Sequence, residues 1–197
     1  MKFFLMTLMC MMPSLAFSKS DSATYNLDKS HTQLTFEVDH LVISTVVGRF
    51  DDFEGEIQID PKAKSLISIM GKAKANSINT NDEKRDKHLR SADFFEVEKY
   101  PELTFEAINL KLKVGKKAKA KGKLKIRDVT KEITFDLHYK GQVTDPWGTE
   151  KIVVEATATI KRKDFGLKWN EALETGGVLV GEKVEIKINA QANLKTQ

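Results

Sequence analysis

The sequence predicts an all-β fold, an extended antiparallel barrel of about eight strands carrying one short helix. Three observations predict it. Apolar and polar residues alternate with a period of two along most of the chain, as in strands with one dry and one wet face. Several of these runs reach roughly 11–13 residues, where strands usually hold about 5–6. Only one segment carries helix signals, so a sheet this tall covers its apolar face best by closing on itself.

The N-terminal segment is a different kind of element. Lys2 precedes an apolar run over residues 3–12 that only Thr7 interrupts, and Pro13 and Ser14 end it. The small residues of Ala16-Phe17-Ser18 then suit a signal peptidase. Residues 1–18 read as a cleavable signal peptide, too short to span a bilayer as a helix of roughly 20 residues. The domain is expected over 19–197. The single cysteine, Cys10, lies in the cleaved segment, so the domain has no disulfide, thiol nucleophile or thiolate metal site. A formal net charge of +4 with both signs interspersed gives no basic recognition face, and no nucleic-acid partner is expected.

The strands follow in order. Leu34, Phe36, Val38 and His40 share one face against Thr35, Glu37 and Asp39, and Phe53, Gly55, Ile57 and Ile59 repeat the pattern. A helix starts near Asn81 as its cap, with Asp82 and Glu83 in the first turn and Arg90 near its end. The apolar phase then flips between Phe105 and Ile108, which predicts a bulge. Ile133, Phe135, Leu137 and Tyr139 form a later face, and Val184, Ile186, Ile188, Ala190, Ala192 and Leu194 the last one. Gly55, Gly71, Ala73, Ala75, Ala156, Ala158, Ala190 and Ala192 fall among the inward positions and leave room. An eight-stranded barrel holds either its own side chains or one slender ligand, and the residues alone leave both open.

Several stretches resemble one family. They include Tyr25-Asn26-Leu27-Asp28 with His31, Phe36-Glu37-Val38-Asp39-His40-Leu41, and Val47-Gly48-Arg49-Phe50. The stretch from Asn81 to Phe95 continues the likeness, as do Ile126-Arg127-Asp128-Val129-Thr130 and Asp164-Phe165-Gly166-Leu167-Lys168-Trp169-Asn170. Together they resemble the YceI-like proteins along nearly the whole domain. The resemblance implies a lipocalin-like barrel in the bacterial periplasm, a carrier that holds a polyisoprenoid tail in an apolar pore. Its expected partner is an isoprenoid lipid or quinone-like amphiphile. The alternative is an interaction module whose barrel is filled by its own side chains.

The candidate pore lining is Phe36, Val38, Phe94, Phe95, Phe105, Phe135, Phe165, Leu167 and Trp169, where Phe165, Leu167 and Trp169 alternate along one expected strand face. The candidate head-group or mouth residues are His40, Arg49, Arg85, His88, Arg90 and Asn170. Arg85 and His88 lie three apart, so one helix face presents both to a polar head group. Equally, Arg85 and Arg90 would pair with Asp86, Asp93 or Glu96 and pin the helix to the barrel. Lysines 113, 116, 117, 119, 121, 123 and 125 form a basic row that either protects a sheet edge or docks on an anionic membrane surface. Long exposed edges beside it would permit a homodimer. No metal is expected, since His31 and His40 point to opposite strand faces about 30 Å apart. The glycines of residues 176–181 lack the Lys-Ser/Thr of a phosphate loop, and no Gly-x-Ser-x-Gly occurs. Neither catalysis nor a cofactor is expected.

Overall fold

A computed structural model describes residues 22–174 and 176–195; the signal peptide expected over residues 1–18 lies outside them. The strands are β1 (Ala23–Leu27), β2 (Gln33–His40), β3 (Ser44–Phe50), β4 (Phe53–Asp60), β5 (Ser65–Lys74), β6 (Ile78–Asn79), β7 (Glu102–Ala107), β8 (Leu112–Lys113), β9 (Lys117–Ile126), β10 (Val129–Thr144), β11 (Glu150–Lys161) and β12 (Val180–Leu194), with one helix, α1 (Glu83–Arg90). All neighbours run antiparallel. The order β1-β4-β5-β7-β9-β10-β11-β12 closes through a β1–β12 ladder into a barrel of eight strands. Beyond β1, the upper part of β12 pairs with β2, which carries β3 and β6 as a ribbon.

The strands are unequal. β10, β12 and β11 hold 16, 15 and 12 residues, whereas β1 and β7 hold 5 and 6. One wall is therefore tall and continuous, and the other is assembled from short pieces. The phase flip after Phe105 is a break rather than a simple bulge. β7 ends at Ala107 opposite Ile69, and pairing with the same neighbour resumes at Leu112 opposite Leu66. The intervening residues 108–111 have two more positions to span than β5 offers, so they loop outward and leave Ile108 exposed.

The helix cap is Asp82, not Asn81. Asp82 Oδ1 accepts the backbone N–H groups of Lys84 and Arg85 at 3.0 Å each, which satisfies two donors of the first turn. Asn81, with φ 60°, makes the turn that precedes it.

Two apolar layers close the barrel. At the base, Tyr25, Ile57, Ile59, Leu66, Tyr139, Ile152 and Ala192 are almost completely buried. At the mouth, Phe50, Phe53, Phe94, Phe95, Phe165 and Leu167 pack with Leu124, Ile126 and Ile160. Gly55 lets the short wall close up, because a Cβ there would stand 2.6 Å from the Met70 carbonyl oxygen and 2.9 Å from Leu27 Cδ1.

Candidate ligand site

Between the two layers the barrel keeps a cavity of about 250 Å³ with walls almost entirely of carbon. Leu34, Phe36 and Val38 of β2 line it from one side, and Val184, Ile186 and Ile188 of β12 adjoin them. Both sets point inward, yet all six are only half-buried, because open space rather than another side chain faces them. Small residues make that space: Gly71, Ala73, Ala156 and Ala158 stand on the wall where larger side chains would meet across it. Phe105 and Phe135 meet edge to face, centroids 5.2 Å apart, at the level where the space ends in the base layer.

The base is sealed and carries a small polar group. The Tyr25 hydroxyl donates to the Glu150 carboxylate and accepts from Gln142 Nε2 at 3.4 Å. The Tyr139 hydroxyl is buried with no hydrogen-bond partner among the described residues. Burial is the first cause pushing both phenols above their ordinary pKa, and Glu150 adds to it.

The mouth is covered by the segment that contains α1. Arg85 donates from Nε to Thr80 Oγ1 and from Nη2 to the Thr80 carbonyl, each at 2.7 Å. Arg90 donates to the carbonyls of Asn76 and Ile78 at 2.8 Å. Asp86, itself buried, accepts from the Thr80 backbone and hydroxyl. At the far end of the segment Arg127 reaches the Phe94 carbonyl and the Glu96 carboxylate. Leu89, the one apolar residue of α1, turns onto the cavity wall.

Seven of the expected lining residues stand on that wall: Phe36, Val38, Phe94, Phe95, Phe105, Phe135 and Leu167. Phe165 and Trp169 do not. The segment Arg162–Phe165 is a 3-10 turn, so the expected alternation of Phe165, Leu167 and Trp169 has no strand to act on. Phe165 is buried in the mouth layer. Trp169 packs against the ring of His88, centroids 4.7 Å apart, and against Phe94 at 5.4 Å.

None of the six expected head-group residues lines the cavity. Arg85 and Arg90 hold the helix segment, but through backbone carbonyls rather than the expected acids, because Asp86 is taken by Thr80 and Glu96 by Arg127. Asp93 pairs instead with His88, 2.9 Å from Nε2. Arg49 pairs with Asp51 at 2.7 Å on the surface. Asn170 bonds both the N–H and the carbonyl of Val180, standing in for a strand neighbour. His40 ends the β2 ladder opposite Val180 and Ser44.

Among the wall residues outside the expected set, Arg162 is the buried cation, only 3% exposed. Its guanidinium donates to the carbonyls of Gly181, Leu167, Trp169 and Val180 at 2.6–3.2 Å, tying together the chain that closes the mouth. Burial pulls its pKa below the ordinary arginine value. A signal existed, since the inward set Ala156, Ala158 and Ile160 continues by twos to Arg162. The lysine row lies apart from the site, along the outside of β9, where Lys119 and Lys121 pair with Asp136 and Glu132.

Residues 25–192 match the sequence profile of the YceI-like domain. A UPF0312 protein of Staphylococcus aureus (strain N315) is 35% identical over 171 residues, covering 86% of this chain and 97% of the relative. A crystal structure of the Campylobacter jejuni YCEI protein superposes with a TM-score of 0.66 at 32% identity, over 80% of this chain and 90% of that one. A polyisoprenoid binding domain from Saccharophagus degradans, described as implicated in plant cell wall breakdown, shares the fold with a TM-score of 0.64. It is 19% identical and covers 87% of this chain and 98% of that one.

Proposed function

Since this chain belongs to the YceI-like family, we propose that it is an exported, periplasmic carrier that holds the chain of an isoprenoid lipid or isoprenoid quinone in its barrel, without catalysis of its own. The cavity carries the reading. A carbon-lined space sealed at one end and covered by a clamped segment at the other suits a flexible hydrocarbon better than a polar substrate. Each methylene withdrawn from water contributes about 0.8 kcal/mol, so a long chain gains affinity without fixed polar contacts. The fold shared with a polyisoprenoid binding domain supports the same cargo. The residues at the mouth fit the role too. Arg85, Arg90 and Arg162 are committed to backbone carbonyls, so the walls select for chain rather than for head group.

The test is organic extraction of the protein purified from its exported form, followed by mass spectrometry. A stoichiometric prenyl lipid is the expected result. Protein that stays lipid-free after saturating exposure to membrane extracts would sink the proposal and return the barrel to an interaction module.

A further inference from the structure

At the mouth end the β2–β3 hairpin finishes in three consecutive apolar residues turned to water. Leu41, Val42 and Ile43 are 40, 69 and 90% exposed, and Val178 in the adjoining loop is 42% exposed. Hairpin tips usually carry glycine, asparagine or aspartate, which accept the backbone such turns require. Here Leu41 and Val42 both hold left-handed backbone, at φ 54° and 67°. A β-branched valine adopts that region only against steric resistance, so this tip is a poor solution for a turn in water alone.

The tip is held in place rather than left loose. The Leu41 N–H donates to the Leu179 carbonyl at 2.9 Å, and Val42 Cγ2 lies against Gly177, where a Cβ would approach it to 3.2 Å. Gly177, at φ 96°, both turns its loop and admits the valine. The two loops thus form one apolar knob. Val38, three residues before Leu41, and Val180, two residues after Val178, both stand on the cavity wall.

We propose that this knob inserts into the surface of a lipid bilayer and sets the barrel mouth against the membrane that supplies or receives the cargo. The inference rests on the isoprenoid-carrier reading and names the partner at its mouth. The size of the knob selects the occupant. Four apolar side chains fall well short of the about 1,000 Å² that a specific protein interface buries. A reversible contact with lipid needs only a few apolar groups at the headgroup boundary. Charge does not drive the contact, because the same loop carries Glu171 and Glu174, and the lysine row runs along β9.

The test uses the whole domain and phosphatidylcholine vesicles, with and without a long-chain prenol. The wild type is expected to co-sediment with the vesicles to the same extent at low and high salt, and to take up prenol from them. Substituting Val42→Ser together with Ile43→Asp is expected to lower both by at least tenfold, while thermal stability and binding of detergent-solubilised prenol stay unchanged. Equal vesicle binding by the variant, or none by the wild type, overturns the proposal. So does a wild-type dimer that the variant splits, since the knob would then pack on a second copy. Prenol bound in detergent without vesicle contact removes this inference alone, whereas prenol bound in neither setting removes the carrier reading beneath it.

Discussion

The two ends of the barrel bury apolar residues in different ways. The base interlocks side chains from β1, β4, β5, β10, β11 and β12, with Leu66, Tyr139, Ile152 and Ala192 at 0% exposure. The mouth instead lays a crossing segment over aromatic rings: Phe50 meets Phe36 at 5.9 Å and Phe95 at 5.8 Å, while Phe94 and His88 meet Trp169. What holds that segment is polar: Arg85, Arg90 and Arg127 grip backbone carbonyls and the Glu96 carboxylate. A close-packed end supplies stability, and a segment held outside the barrel ladders by side-chain hydrogen bonds can yield without unfolding the ring of strands. On the proposed carrier reading, stability belongs to the base and cargo exchange to the mouth.

The largest effect should come from the base. Leu66→Ala is expected to cost about 2–5 kcal/mol in urea unfolding, because the surrounding layer has no slack to collapse into. Ile186→Ala, on a wall that already faces open space, should cost well under that and weaken prenol binding instead. Equal losses at the two positions would erase the distinction between packed base and open wall.

Next in size is a substitution that fills the space. Ala158→Phe is expected to reduce prenol affinity at least tenfold, about 1.4 kcal/mol, with the thermal midpoint unchanged or raised. Unaltered affinity in calorimetry would mean that the cargo lies elsewhere.

The smallest effect is one of pH. Burial raises Tyr25 and Tyr139 above the ordinary phenol value, so the unfolded chain ionises first as pH climbs. Their contribution to stability is complete below about pH 10 and declines above it as the unfolded state releases protons. Tyrosinate absorbance from these two residues should therefore rise together with unfolding. Their titration in a folded protein near pH 10 would show a base open to water.

The wall between the two ends is legible in the sequence, and the reason is periodicity. Alternation fixes which face of a long strand turns inward, so Phe36, Val38, Phe105 and Phe135 were placed on the wall from spacing alone. The mouth was less legible because it is built from turns. The 3-10 segment Arg162–Phe165 cancels the period that grouped Phe165 with Trp169. The roles of Arg85 and Arg90 depend on which carbonyls the chain brings back to them across residues 76–80, and charge spacing pointed to acids instead. Arg162 shows what periodicity leaves out. Its inward position followed from the alternation, but a charged residue reads as outward unless backbone acceptors are known to await it.

The central claim is that the space between the two ends holds one extended hydrocarbon chain. Isothermal titration of the protein with a series of prenols of increasing length tests it most directly. Affinity should rise with each added isoprene unit until the cavity is filled, then level off, and the plateau should move to shorter chains in Ala158→Phe. Affinity that ignores chain length, or a plateau that the substitution leaves in place, would contradict the claim.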